Sequence, residues 1–360
     1  MSHRPLLIMA GGTGGHVYPA LAVAEHLREC GVPLLWLGTR RGLEARLVPA
    51  KGFRLLTITI SGLRGKGFSS WLLAPIYLTV ALVQSLLILC RRRPAVVLGM
   101  GGFVGGPGGI AAWLMRIPLL IHEQNAIVGT TNRWIAPLAH TVMEAFPGTF
   151  SKPRHAVCTG NPVRAEIAAI VPPDRRLDPT RPVMRILVLG GSQGARILNE
   201  VVPSALAREG SALSTEVWHQ SGPKHYAETK ARYAENGVQA RIEAYIDDVA
   251  AAYVWADVVV CRAGALTISE LSIAGVASIL VPYPYAVDDH QMANARHLVD
   301  AGAALLMPQP SFDEGRLAEL LADLHASRKR LVAMARKARE LARPDATQQV
   351  ATLCMEVIGG

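Results

Sequence analysis

The chain has 360 residues, half of them hydrophobic and 18% charged, with a formal net charge of +9. That length exceeds one ordinary hydrophobic core and suits two α/β domains, while the apolar content excludes a disordered chain. Five scattered cysteines, Cys30, Cys90, Cys158, Cys261 and Cys354, include no CxxC pair, which speaks against a disulfide framework or a zinc site and for a reducing compartment.

The first predicted element is an apolar strand at residues 6–10, preceded by no apolar leader or small-residue cleavage site, so no signal peptide is expected. It runs into Gly11-Gly12-Thr13-Gly14-Gly15 and then an amphipathic helix. Further strands are predicted at 34–37, 55–60, 95–98 and 119–121, alternating with helical stretches to make one parallel sheet.

Residues 71–90 carry no charge and are flanked by Arg64 and Lys66 on one side and Arg91-Arg92-Arg93 on the other. Their length admits a transmembrane helix. Strands 55–60 and 95–98, however, are expected to pair in parallel through one right-handed crossover, which a spanning helix forbids. Basic residues at both ends also lack the asymmetry of a spanning segment. The segment reads as a crossover helix, partly core and partly membrane-facing, with a wholly buried helix as the alternative.

The strand ending at Leu98 leads into a dense glycine cluster, Gly99-Met100-Gly101-Gly102-Phe103-Val104-Gly105-Gly106-Pro107-Gly108-Gly109. A Pro- and charge-rich stretch at 171–182 reads as the linker to a second domain. There a strand at 185–189 opens Gly190-Gly191-Ser192-Gln193-Gly194, and strands follow at 215–219, 256–261, 277–281 and 304–307. Placing the boundary after Val163 puts 16 Lys+Arg against 5 Asp+Glu in residues 1–163, a net +11, and 21 against 23 in the remainder, a net −2. A basic N-terminal half suits an anionic membrane surface, a phosphorylated substrate or nucleic acid.

Glycine turns between strand and helix let backbone N–H groups and the positive end of a helix dipole approach a phosphate. Three such turns point to a cleft lined from both halves. Neither domain-opening turn reads GxGxxG, and the second strand ends in Gly38-Thr39-Arg40-Arg41 without an acidic ribose ligand, so a dinucleotide enzyme is disfavoured. No GxxxxGK[ST] occurs either. In Val258-Val259-Val260-Cys261-Arg262-Ala263-Gly264-Ala265-Leu266-Thr267-Ile268-Ser269-Glu270 a buried strand leads through a small-residue turn into a helix. Ala265, Leu266 and Thr267 can offer amides to a diphosphate, and Glu270 can accept ribose hydroxyls or merely complement the helix dipole. Asp247-Asp248 read as a helix cap rather than metal ligands. The chain contains no Asp-x-Asp, so backbone amides and helix dipoles would stabilise a departing nucleotide.

Six blocks, in order over nearly the whole chain, resemble the MurG family of glycosyltransferases: Gly11-Gly12-Thr13-Gly14-Gly15-His16, Ser61-Gly62-Leu63-Arg64-Gly65-Lys66-Gly67, His122-Glu123-Gln124-Asn125, Gly160-Asn161-Pro162-Val163-Arg164, Gly190-Gly191-Ser192-Gln193-Gly194-Ala195-Arg196 and residues 261–270. The resemblance implies an α/β GT-B fold, with two Rossmann-like parallel-sheet domains facing a cleft. It also implies inverting, metal-independent transfer of N-acetylglucosamine from UDP-N-acetylglucosamine to a lipid-linked pyrophosphoryl sugar acceptor, without a cofactor. Residues 1–163 would bind acceptor and membrane, residues 164–340 the donor, and a helix in 341–360 would pack back on the first domain.

Carried over by position, Ser192 and Arg164 would serve the donor's phosphate region, Ile246 the uracil through its backbone, and Ala265, Leu266, Thr267, Ile268, Ser269 and Glu270 the diphosphate and ribose. Gln291 would hold sugar hydroxyls, and Thr13, Gly14, Gly15 and Asn125 would complete the cleft. His16, opening a helix at the cleft, is the expected base because imidazole is the side-chain type suited to moving protons at neutral pH, with Glu123 in reserve. His122, His219 and His290 are expected to be structural or to position substrate. The expected partners are an anionic membrane surface and cell-wall synthesis proteins but no nucleic acid, with a peripheral location on the cytoplasmic face of the bacterial membrane. Two other readings are a UDP-sugar 2-epimerase of related fold and a non-catalytic nucleotide-sugar binding module.

Overall fold

The computed structural model describes residues 4–60, 73–150, 155–191, 193–209, 213–286 and 289–359. The chain divides into two compact units, Met1–Arg164 with Pro344–Gly360, and Ala165–Arg343.

The first unit is built on seven parallel strands: β1 (Leu6–Met9), β2 (Leu34–Gly38), β3 (Leu55–Thr57), β4 (Val96–Gly99), β5 (Leu119–Glu123), β6 (Thr141–Glu144) and β7 (Val157–Cys158). They lie in the order β3-β2-β1-β4-β5-β6-β7. Its helices are α1 (Gly14–Glu29), α2 (Glu44–Ala50), α3 (Ala74–Arg92), α4 (Gly105–Leu114) and α5 (Thr130–Ile135). All four β1 residues are buried, because a central parallel strand is covered on both faces. Leu6 and Ile8 pack with Val17, Leu27 and Val48 of α1 and α2 and with Val350 and Cys354 of the C-terminal helix, Ala346–Gly359. Leu7 and Met9 point the other way, into a layer with Ala81 and Leu89 of α3, Ala111 and Ala112 of α4, and Ile135 of α5.

The expected pairing of β3 with β4 does not occur. β3 is an edge strand beside β2, and β4 pairs with β1. The chain leaving β3 passes β2 and β1 and restarts on the far side of β1, so strand order reverses between β1 and β4. The crossover helix itself is present as α3, beginning at Ala74; Trp71 and Leu72 lie outside the described residues.

The second unit holds six parallel strands: β8 (Met184–Leu189), β9 (Thr215–Gln220), β10 (Arg241–Glu243), β11 (Val258–Cys261), β12 (Ala277–Leu280) and β13 (Ala304–Leu306). Their order is β10-β9-β8-β11-β12-β13, with the reversal between β8 and β11. The helices are α6 (Ala165–Ala168), α7 (Pro173–Arg176), α8 (Arg196–Glu209), α9 (Tyr226–Glu235), α10 (Val249–Trp255), α11 (Ala265–Ala274), α12 (His290–Val299), α13 (Glu314–Ala326) and α14 (Arg328–Glu340).

The stretch at 171–182 is not the linker. The chain passes between units at Arg164–Ala165 and again at Arg343–Pro344, and 171–182 folds into the second unit around α7. Its Arg176 guanidinium donates to the carbonyls of Tyr253, Val254 and Ala256 at the end of α10 and of Ala274 and Gly275 at the end of α11. A planar five-donor fork suits these carbonyls, which a helix end leaves unpaired. Burial lowers the Arg176 pKa to about 10, against the favourable field of Asp257.

Candidate active site

In each unit the glycine turns sit where strand order reverses, at the carboxyl ends of adjacent central strands, the usual ligand position of an open parallel sheet. In the first unit the turn after β1 and the turn after β4 touch. A Cβ on Gly102, which has φ +81°, would lie 2.2 Å from the Gly11 carbonyl oxygen. The first turn is anchored from below by Glu44, a fully buried carboxylate that sequence reasoning passed over. It accepts from Gly12 N at 3.0 Å, Thr39 N at 2.9 Å and Thr39 Oγ1 at 2.7 Å. The available signal was an acidic residue closely following the Gly38-Thr39 strand end.

Thr13 precedes α1 as its exposed N-cap, and Gly14 and Gly15 begin the helix. His16, in the same first turn, is half-buried, with Nδ1 2.9 Å from Gln124 Oε1. The Gln124 amide nitrogen lies 3.1 Å from His122 Nδ1, and His122 Nε2 lies 2.9 Å from the Gly160 carbonyl oxygen. The blocks containing His16, His122 and Gly160, far apart in sequence, are thus one hydrogen-bonded chain. Gln124 carries it and was not singled out from the sequence, because its role depends on a partner 108 residues away.

Glu123, the reserve base, is 1% exposed. Its Oε1 accepts from Asn125 N and Nδ2 at 3.0 and 3.2 Å, and its Oε2 from Gly129 N and Asn132 Nδ2 at 3.0 and 2.9 Å. A carboxylate engaged by four amide donors anchors a loop, and the geometry gives Glu123 and Asn125 that shared task. Arg164, at the end of the first unit, has its guanidinium 6.0 Å from the Tyr18 ring centre.

In the second unit Gly264 is the N-cap of α11, and the first backbone bond of that helix runs from Ile268 N to Gly264 O at 2.9 Å. The amides of Ala265, Leu266 and Thr267 precede it and carry the positive end of the dipole. Ile268 is different: its side chain is fully buried and its N–H is used within the helix, so it serves packing. Ser269 Oγ donates to Ala265 O at 3.1 Å. Glu270 is 6% exposed and accepts from the Tyr253 hydroxyl; Tyr253 was missed because nothing local marks an α10 tyrosine as a partner of α11.

The Ile246 N–H is taken by Gln220 Oε1 at 3.0 Å, and Gln220 Nε2 donates to Gly191 O at 2.9 Å. Gln220 therefore ties the Ile246 loop to the glycine turn after β8. Gln291 Oε1 accepts from Tyr283 N at 2.9 Å. Ser192 lies outside the described residues. Asp248 caps α10, accepting from Ala251 N. His219 is buried between the Tyr233 hydroxyl at 2.8 Å and Asn199 Oδ1 at 2.9 Å, a structural network.

On the first unit, α3 buries only Ala74, Ala81, Ser85 and Leu89. It exposes Ile76, Tyr77, Leu78, Val80, Val83 and Leu87, and its neighbour α4 exposes Ile110, Trp113 and Leu114. Arg91, Arg92, Arg93 and Arg116 are exposed near the ends of these helices.

Comparison with known proteins agrees with this architecture. Residues 6–144 match the glycosyltransferase family 28 N-terminal domain and residues 185–350 its C-terminal domain. A curated relative from Nitrosococcus oceani, named UDP-N-acetylglucosamine--N-acetylmuramyl-(pentapeptide) pyrophosphoryl-undecaprenol N-acetylglucosamine transferase, is 56% identical over 99% of both chains. The crystal structure of Acinetobacter baumannii MurG superposes with a TM-score of 0.86 at 39% identity, covering 98% of this chain and 99% of that one. A UDP-GlcNAc 2-epimerase from Neisseria meningitidis shares the fold alone, with a TM-score of 0.69 at 12% identity over 98% of this chain and all of that one. Two Rossmann-like units of the GT-B kind, with near full-length identity to curated transferases, make this chain a member of the MurG family within glycosyltransferase family 28.

Proposed function

We propose that the chain transfers N-acetylglucosamine from UDP-N-acetylglucosamine to the muramyl sugar of pentapeptide-bearing pyrophosphoryl-undecaprenol, the lipid I to lipid II step of peptidoglycan synthesis. The observation that carries this is the 56% identity, over 99% of both chains, to a transferase named for that reaction. His16 takes the proton of the acceptor hydroxyl as its oxygen attacks the anomeric carbon opposite the departing UDP, so configuration inverts. The second unit binds the donor. Amides of Ala265, Leu266 and Thr267 meet the diphosphate at a helix N-terminus, Glu270 takes the ribose hydroxyls, the Ile246 carbonyl the uracil, Ser192 and Arg164 the phosphate region, and Gln291 the sugar. Thr13, Gly14, Gly15 and Asn125 are the substrate-binding residues proposed for the first unit. Backbone dipoles offset the leaving charge, and transfer is expected to persist in excess EDTA.

The exposed apolar face of α3 and α4, with arginines near the helix ends, supports peripheral docking of the first unit on the anionic cytoplasmic face of the membrane. Radiolabelled UDP-N-acetylglucosamine supplied with an undecaprenyl-type acceptor tests the assignment: label should enter the lipid phase. Conversion of the sugar nucleotide without acceptor would favour an epimerase instead, and UDP-sugar binding without turnover a binding module.

A further inference from the structure

The chain from Gly160 to His16 has only one consistent set of proton positions. A backbone carbonyl can only accept, so His122 Nε2, 2.9 Å from Gly160 O, carries the hydrogen. In a neutral imidazole the other nitrogen then accepts. It faces the Gln124 amide nitrogen at 3.1 Å, and that same amide nitrogen also donates to the His122 carbonyl oxygen at 3.1 Å. Two acceptors on one side fix the orientation of the Gln124 amide. Its oxygen therefore faces His16 Nδ1 at 2.9 Å and requires a hydrogen there.

The surroundings hold this arrangement. His122 is fully buried and Gln124 is 1% exposed. Burial lowers the His122 pKa to about 4, against the raising influence of the Gly160 carbonyl and Glu123, so the ring stays neutral with one hydrogen. Asn161 Nδ2 donates to the Gln124 backbone carbonyl at 3.0 Å. Gly101, with φ +91°, leaves the space for the His16 contact. A Cβ there would fall 2.5 Å from His16 Nδ1 and 3.1 Å from Gln124 Oε1.

We infer that Gly160, His122 and Gln124 form a positioning relay that keeps the His16 hydrogen on Nδ1 and leaves Nε2 as its basic nitrogen. The inference rests on His16 being the base. Gln124 and His122 act through His16, and the relay selects the tautomer that free imidazole disfavours. Without it, a larger share of His16 carries its hydrogen on Nε2 and cannot take the acceptor's proton from that atom.

The test begins with the unaltered full-length chain labelled with ¹⁵N-histidine, read in two-bond proton–nitrogen correlation spectra at a pH where imidazole is neutral. His16 signals are assigned by their loss in His16→Ala. The expected pattern is a protonated Nδ1 and an unprotonated Nε2 for His16, with the reverse for His122. In Gln124→Leu the His16 pattern should move toward the Nε2-protonated form, and kcat for transfer to the lipid-linked acceptor should fall roughly 10- to 100-fold. The KM for UDP-N-acetylglucosamine should stay within a factor of about two, as expected when only transition-state chemistry is affected. Should Gln124→Leu not fold, the parent spectrum still decides. An Nε2-protonated His16 in the parent, or unchanged kcat in folded Gln124→Leu, would overturn the relay while leaving the base in place. Normal turnover in His16→Ala would overturn the base assignment, and the relay's catalytic role with it.

Discussion

The Tyr253 hydroxyl on α10 donates to Oε2 of Glu270 on α11 at 3.0 Å, and both residues are buried. Arg176 grips the C-terminal carbonyls of the same two helices. The carboxylate proposed to hold the donor ribose is thereby fixed by its own hydrogen bond and by the clamping of both supporting helices. Such preorganisation reduces the side-chain entropy lost when a nucleotide binds.

Glu270→Ala should raise the donor KM with little change in kcat, since ribose contacts are made equally in ground and transition states. Hydrogen bonds to a charged group contribute about 1.5 to 3 kcal/mol, a factor of roughly 10 to 150. Tyr253→Phe should raise the same KM by only a few-fold, because the carboxylate remains but is less firmly held. Steady-state kinetics over a range of donor concentrations measure both, and an unchanged donor KM in Glu270→Ala would leave the residue a purely structural role.

Folding stability should fall as pH drops below about 6.5. Burial lowers the pKa of His122 to about 4 and of His219 to about 3, and lowers that of His297 as well. The unfolded chain therefore binds protons that the folded chain refuses, and stability rises with pH across the window between the folded and unfolded values. Each group contributes a slope of up to about 1.4 kcal/mol per pH unit within it. Urea midpoints compared at pH values above and below the ordinary histidine pKa test this; equal midpoints would contradict neutral burial of these rings.

Replacing Arg91, Arg92 and Arg93 together by Gln should weaken binding to anionic vesicles and reduce activity on membrane-embedded acceptor. Activity on a short-chain soluble acceptor should be spared. Each basic residue near an anionic surface contributes about 1 kcal/mol, and parent binding should itself weaken as salt rises. Sedimentation with vesicles across a salt series checks the effect, and parent-like binding by the triple variant at every salt concentration would remove these arginines from docking.

Much of the architecture was legible because its central strands are continuous apolar runs ending in glycine turns. β1, β4, β8 and β11 are wholly buried or nearly so, as the run pattern demands. Strands β6, β7 and β10 were not foreseen: β6 and β10, four and three residues long, mix polar with apolar side chains, and β7 is only two residues long. The false β3–β4 pairing arose from treating consecutive strands as neighbours, when strand order reverses at β1. The linker reading failed at Arg176, since prolines and charges suggest exposure until the carbonyls that solvate the guanidinium are known.

At the candidate site, single blocks with backbone function could be read along the chain. Positioning groups could not: Glu44, Gln124, Gln220 and Tyr253 act on residues in other elements. Their roles follow from tertiary contact rather than local spacing. Glu123 was singled out by residue type as a reserve base; its carboxylate accepts from four amide donors, three of them in the loop from Asn125 to Gly129 and the fourth on Asn132 of α5.

Transfer of N-acetylglucosamine to a lipid-linked acceptor with His16 as the base is decided by single-turnover experiments on the parent and on His16→Ala. Radiolabel from the donor is followed into the lipid phase, while UDP affinity is measured separately by calorimetry. The parent should label the lipid rapidly, His16→Ala should do so at a rate lower by roughly 10² to 10⁴, and the two proteins should bind UDP with nearly equal affinity. Absence of lipid labelling by the parent, or a near-normal rate in a folded His16→Ala variant, would contradict this assignment.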